Sequence, residues 1–228
     1  MIPYRLYVVT LGLLLSFPIF SQTYIGLKGG VNQSKANFIF DIDPSSVISS
    51  TDLLGYHFSI PLEVSVNEMV NFMTEVALVS EGTIFSSQVQ EEQRTYNNTI
   101  TYLKFPLMGK LKLFKNKHYE FGVVGGVVPA LAVDVSSFYF KSLDFGRTVD
   151  LPIDFEEAGI KRFDLAVSLG LNTEKTIANG LKIMLDIRYN LGMLNIEKHS
   201  RITNTTESFS LTFGLLTPLF KKQKMVSL

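Results

Sequence analysis

From Tyr102 to Phe114 the chain reads YLKFPLMGKLKLF, with its apolar residues recurring at every second position. Leu103, Phe105, Leu107, Leu111 and Leu113 share one face, and Tyr102, Lys104, Met108, Lys110 and Lys112 share the other. A period of two belongs to a β-strand, whose side chains point alternately to opposite sides. Strands of ordinary domains run about five or six residues. Alternation kept over about eleven is the length that crosses a bilayer at a tilt.

The same pattern predicts eight strands, over 24–34, 53–66, 72–85, 96–114, 119–135, 162–172, 181–196 and 207–219. The connections 35–52, 86–95, 136–161 and 197–206 are long and polar, while 67–71, 115–118 and 173–180 are short. Long and short connections therefore alternate. An antiparallel up-and-down transmembrane β-barrel with short periplasmic turns and longer outer loops has that pattern. No helical period appears after the N-terminal segment, so the expected fold class is all-β.

Alternation alone leaves open which face points outward, since a soluble lipocalin-like barrel also alternates with its apolar face inside. Three features favour apolar-out. The polar face is rich in small residues, among them Gly26, Gly30, Gly122, Gly126, Ala130 and Gly170, which suit a crowded eight-stranded interior. The apolar face is nearly free of charge. It also carries aromatics near strand ends (Tyr56, Phe72, Tyr119, Phe163, Tyr189, Phe209), as an interfacial girdle does.

The polar face holds the bases Lys28, Lys104, Lys110, Lys112, Arg162, Lys182 and Arg188. Its acids are Glu63, Glu75, Glu81, Glu120, Asp134, Asp164 and Asp186. A buried unpaired charge costs several kcal/mol, so equal numbers imply a paired, plugged core and not an open pore. Glu63, Glu75, Lys104, Lys110, Asp164, Asp186 and Arg188 are the expected lumen charge cluster, structural in role or a gate.

Composition narrows the reading further. With 21 basic and 21 acidic residues the formal net charge is +0, which excludes the basic footprint of a nucleic-acid binder. There are no cysteines, hence no disulfide framework and no thiolate metal site. Residues 1–22, MIPYRLYVVTLGLLLSFPIFSQ, pair a basic Arg5 with an apolar run too short to span a membrane, and read as a secretory signal peptide. The barrel domain is then 23–228.

His57 lies on the polar face of the second strand, where with Glu63, Asp164 or Asp186 a hydrolase site can be imagined. A lone lumen histidine in a hydrogen-bond network is the simpler reading. No nucleophile elbow, phosphate loop or metal-ligand spacing is present, so neither catalytic residues nor a cofactor are expected. The connection 136–161 carries Phe138, Tyr139, Phe140, Phe145 and Phe155 among acids. It is read either as a partner-binding loop or as a self-packed cap.

The stretches YIGLKGGVNQS, TEVALVSEGTIF, YLKFPLMGKLKL, FDLAVSLGLN and DIRYNLGMLNI together resemble the PorT-like outer-membrane β-barrel family. Glu75 matches the family's acid in the third-strand motif, and Arg188 with Tyr189 matches its Arg-Tyr pair. Lys104 stands where the family usually has an acid, which implies a different interior pairing at that level. The resemblance implies an eight-stranded barrel in the bacterial outer membrane. The expected function is a small non-enzymatic structural or interaction component of the envelope, with a narrow channel or solute-permeation protein as the alternative. Its expected surroundings are outer-membrane lipid and another envelope protein met through the extracellular loops.

Overall fold

A computed structural model describes residues 22–40, 49–89, 92–141, 148–151, 155, 159–198 and 202–219. Its ten strands are β1 (Thr23–Phe40), β2 (Ser49–Ser65), β3 (Val70–Val89), β4 (Glu92–Lys104), β5 (Leu107–Lys115), β6 (Tyr119–Lys141), β7 (Thr148–Leu151), β8 (Phe163–Thr176), β9 (Lys182–Gly192) and β10 (Ile202–Pro218). All pairings are antiparallel, and β1 pairs β10 from Tyr24↔Pro218 to Phe40↔Ile202, so the sheet closes on itself. By ring count the barrel has eight strands. β4 and β5 share one place in that ring, between β3 and β6, and β7 pairs only the outer end of β6. Closure leaves no sheet edge inside the bilayer, where an unpaired backbone group costs several kcal/mol.

The expected single strand over 96–114 is interrupted at Phe105–Pro106. Pro106 has no N–H to give to the ladder, so pairing stops there and resumes at Leu107. Phe105 spans the break by donating its N–H to Pro129 O at 2.9 Å. Alternation passes through undisturbed, with Phe105 and Leu107 outside and Lys104 and Met108 inside.

The apolar face points outward all round. Leu27, Phe58, Leu78, Leu107, Val127, Leu169, Leu185 and Phe213 are all exposed, while the charged positions between them are buried. Glycines on the inner face have a steric reason. A Cβ on Gly126 would lie 2.1 Å from Leu107 O, and one on Gly30 would lie 2.0 Å from Leu211 O. At Gly109, on the outer face, the nearest atom would be 3.9 Å away.

Several expected loops are strand. β3 and β4 stay paired out to Val89↔Glu92, through the expected loop 86–95. β6 runs to Lys141, so Phe138, Tyr139 and Phe140 continue a strand paired with Asn97, Tyr96 and Thr95. The cause is a bulge: Thr101 pairs Asp134 but Tyr102 pairs Ala132, leaving Val133 extra. One extra residue reverses which face each later side chain takes, and the apolar alternation stops being readable. Asp134, expected inside, is exposed for the same reason. Arg162, also expected inside, precedes β8 and is exposed. The side chains of Phe138, Tyr139 and Phe140 lie outside the described residues, as do Phe145 and the expected signal segment apart from Gln22.

Candidate functional site

Among the described residues, charge, burial and geometry converge in the interior. β3 shows its layering on a single strand: from the short-turn end its inward residues include Asn71, Met73, Glu75 and Glu81. An amide, a thioether and two carboxylates therefore sit at successive depths, and each depth has its own partners.

The group nearest the short turns contains Glu63, Lys110, Lys112, Glu120, Glu174 and Lys182. Lys110 Nζ is 2.6 Å from Glu120 Oε1 and 3.5 Å from Glu63 Oε2, and it also contacts Glu174. Lys182 Nζ lies 2.6 Å from Glu174 Oε2 and 3.3 Å from Glu63 Oε1, and it stands 4.1 Å above the Tyr24 ring. Asn71 Nδ2 donates to Glu63 Oε1 at 2.7 Å. Glu63, Glu120 and Glu174 bring carboxylate oxygens within 4.8 Å of one another, the arrangement a metal ion would need. The Lys110 ammonium lies within reach of all three, so a cation already sits among them. Three lysines face three glutamates, and the group is neutral as a unit.

Above it lies an apolar layer of Tyr24, Met73, Met108, Val124, Val128, Ala166, Met184 and Leu216. Met73, Met108 and Met184 are inward neighbours of charged residues on β3, β5 and β9, and unbranched thioethers fill such irregular gaps.

The middle charge group is Lys28, Glu75, Asp186 and Arg188. Lys28 Nζ lies 2.6 Å from Glu75 Oε2 and 3.1 Å from Asp186 Oδ2. The Arg188 guanidinium reaches both acids, 2.7 Å to Glu75 Oε1 and 2.6 Å to Asp186 Oδ2. Two bases and two acids form a closed square with excellent geometry for a buried network. His57 flanks it, with Nε2 3.9 Å from Glu75 Oε1. The Ser59 hydroxyl donates to Glu75 at 3.3 Å and not to His57.

Higher again, Lys104 Nζ lies 2.6 Å from Glu81 Oε1 and 5.5 Å from the Tyr102 ring centre. Asp164 accepts from Thr206 Oγ1 at 3.0 Å and from its neighbour's N–H, Leu165 N, at 2.7 Å. Toward the outer end, Ile160 and Ile196 join Ile100, Tyr102, Ala130 and Ala132 in a second buried apolar cluster. Both isoleucines come from connections. They are tied by the bridge Ile160↔Glu197, by Lys161 N to Ile196 O at 2.7 Å and by Lys198 N to Gly159 O at 2.8 Å. The cavity beside His57, Glu75, Lys104 and Arg188 is about 10 Å³, room for a single water.

All seven expected lumen residues are buried, but they form three groups and not one. Lys110 and Glu63 belong to the lowest; Glu75, Asp186 and Arg188 to the middle; Lys104 and Asp164 to the upper. Of the expected loop aromatics, Phe155 is half-buried against the mouth cluster, with the Arg162 guanidinium 4.6 Å from its ring. Glu174 escaped the sequence reading altogether. Its outward neighbours Thr173 and Lys175 are polar, so apolar alternation ended at Leu171 while the strand went on to Thr176. Continuing the period of two by position, from Asp164 to Asn172 and then Glu174, finds it.

A closed antiparallel barrel with a lipid-facing apolar wall and a charge-paired interior is an outer-membrane β-barrel. The family model described as "Outer membrane protein beta-barrel domain" matches residues 20–198, well over half of the chain, and the chain belongs to that family. It resides in the bacterial outer membrane. Among curated proteins there is no match. Among solved structures, the Escherichia coli outer membrane protease OmpT is similar with a TM-score of 0.51 at 10% identity, covering 90% of this chain and 98% of that one. OprG of Pseudomonas aeruginosa has a TM-score of 0.49 at 9% identity, with 87% and 97% covered. Ail of Yersinia pestis has a TM-score of 0.41 at 11% identity, with 86% and 99% covered. At these identities the likeness is one of fold, and the OmpT comparison carries it.

Proposed function

We propose that the chain is a non-enzymatic, PorT-like outer-membrane barrel whose interior holds structure and does not transport. It acts as a structural or interaction component of the envelope. The observation that supports this is the stack of filled layers: a neutral ion-paired group, an apolar layer, a second neutral group, an upper group with the Lys104–Glu81 pair, and an apolar cluster toward the outer end. A permeating solute would have to part buried ion pairs whose separation costs several kcal/mol each. Against an enzymatic reading, Ser59, His57 and Glu75 are neighbours but out of order, because the hydroxyl hydrogen-bonds the acid, and the cavity lined by His57 and Glu75 is about 10 Å³. For interaction, the barrel wall built from β3, β4 and β6 continues past the apolar belt, giving the outer end a rigid paired platform for another envelope protein.

The test is single-channel recording of the purified barrel in planar bilayers. A baseline without discrete steps is expected at moderate voltages. Reproducible unitary steps with ion selectivity would overturn the proposal in favour of a narrow channel.

A further inference from the structure

The short-turn end differs from the rest of the surface in charge. Among the described residues outside the lumen it presents Lys115, Lys117 and Lys175, all exposed, against a single acid, Glu68. Lys115 and Lys117 have no ion-pair partner among the described residues. Lys175 stands 5.3 Å above the ring of Tyr119, at the lower edge of the apolar belt.

A groove lies at this rim between the β2–β3 and β5–β6 turns, about 510 Å³ in volume. It is lined by Glu68, Met69, Lys112, Leu113, Lys115 and Asn116. The size is that of a small-ligand site. Its chemistry is two-sided. Met69 and Leu113 are 61% and 59% exposed and continue the lipid-facing wall. Lys115 is exposed at its outer lip. Lys112 reaches its inner side with an ammonium that spends one contact on Asn67 O at 3.4 Å and a weak one on Glu120 at 3.9 Å. An ammonium has three donors, so Lys112 keeps capacity for another acceptor. The walls are rigid: Asn67 Oδ1 accepts from Met69 N and Val70 N, and Asn116 Oδ1 accepts from His118 N and Tyr119 N.

We propose that this groove binds an anionic glycerophospholipid of the periplasmic leaflet, its phosphate on the exposed Lys115 with the buried Lys112 ammonium behind it, and its acyl chains against Met69 and Leu113. Short turns of such barrels face the periplasm, so the groove opens at the headgroup level of that leaflet. An excess of lysine over acid at a membrane surface attracts anionic lipid, each base contributing several-fold to affinity. The proposal requires the barrel to sit in the outer membrane but does not depend on whether it conducts.

The full mature barrel in mild detergent is titrated with dioleoylphosphatidylglycerol or dioleoylphosphatidylcholine, and retained lipid is counted by native mass spectrometry. The phosphatidylglycerol is expected to be retained in preference. Lys115→Gln weakens it by roughly five-fold, and Glu68→Gln strengthens it. Migration of the unboiled protein on a gel shows that each variant is still a closed barrel. Equal retention of both lipids by the wild type overturns the proposal, as does a Lys115→Gln variant that keeps full phosphatidylglycerol affinity.

Discussion

Glu75 receives Lys28 and Arg188 on its two oxygens at 2.6 and 2.7 Å, with the Ser59 hydroxyl as a third donor. Replacing it with Gln keeps the shape and removes the charge, leaving two cations to share Asp186. Breaking a buried pair from one side costs about 3–5 kcal/mol. The expected outcome for Glu75→Gln is a lowered urea midpoint for unfolding from lipid vesicles. Joint replacement of Lys104 and Glu81 by Met and Leu should lower the midpoint less than Glu75→Gln does, since both partners of that ion pair go together. An unchanged midpoint for Glu75→Gln would mean the middle square is dispensable. At this scale the sequence was legible where a residue's neighbours were apolar. Glu75 stood out between Val76 and its strand-mates, whereas Glu174 was hidden by Thr173 and Lys175, which lie where the strand has left the lipid.

β8 states the two-sidedness of the wall over one strand. Val167, Leu169 and Leu171 are exposed, and Ser168 and Asn172 are buried. Spin labels placed singly along 167–172 in vesicles should therefore alternate. Labels at 167, 169 and 171 should be relaxed strongly by lipid-soluble oxygen, and those at 168 and 172 should be shielded. Reversed phase, with the even positions oxygen-accessible, would place the apolar face inside and refute the membrane barrel. The limits of the elements were less legible than their existence. Pro106 cuts one strand in two without breaking its alternation. The bulge at Val133 breaks alternation without ending its strand, so periodicity stops six residues before Lys141, where β6 ends. Apolar periodicity reports contact with lipid, and strands that rise beyond the bilayer no longer carry it.

For the molecule as a whole, β1 and β10 close the ring over 17 paired positions, and the interior adds ion pairs that cross it between strands distant in sequence. Lys28 of β1 meets Asp186 of β9, and Lys182 of β9 meets Glu63 of β2. A barrel tied across its own lumen should resist dodecyl sulfate until heated. Unboiled protein is expected to run faster on a gel than boiled protein, with a single conversion temperature. Identical migration of the two samples, with the protein recovered without detergent, would contradict a closed membrane barrel.

The chain by itself determined the all-β class, the eight-place ring, the outward direction of the apolar face and the burial of seven named charged residues. Each of these follows from a local property: a period of two, the length of a run, or the chemistry of alternate positions. Only the tertiary structure decided which charges meet. The lysine and arginine partners of Glu63 and Glu75 lie on strands far away in sequence, and strand tilt and register set the depth at which each side chain enters the lumen. The meeting of Ile160 and Ile196 was decided there too, because Ile160 stands in a connection with no repeating pattern, Ile196 lies beyond the end of β9 although alternation runs on to it, and a backbone bridge brings the two segments together.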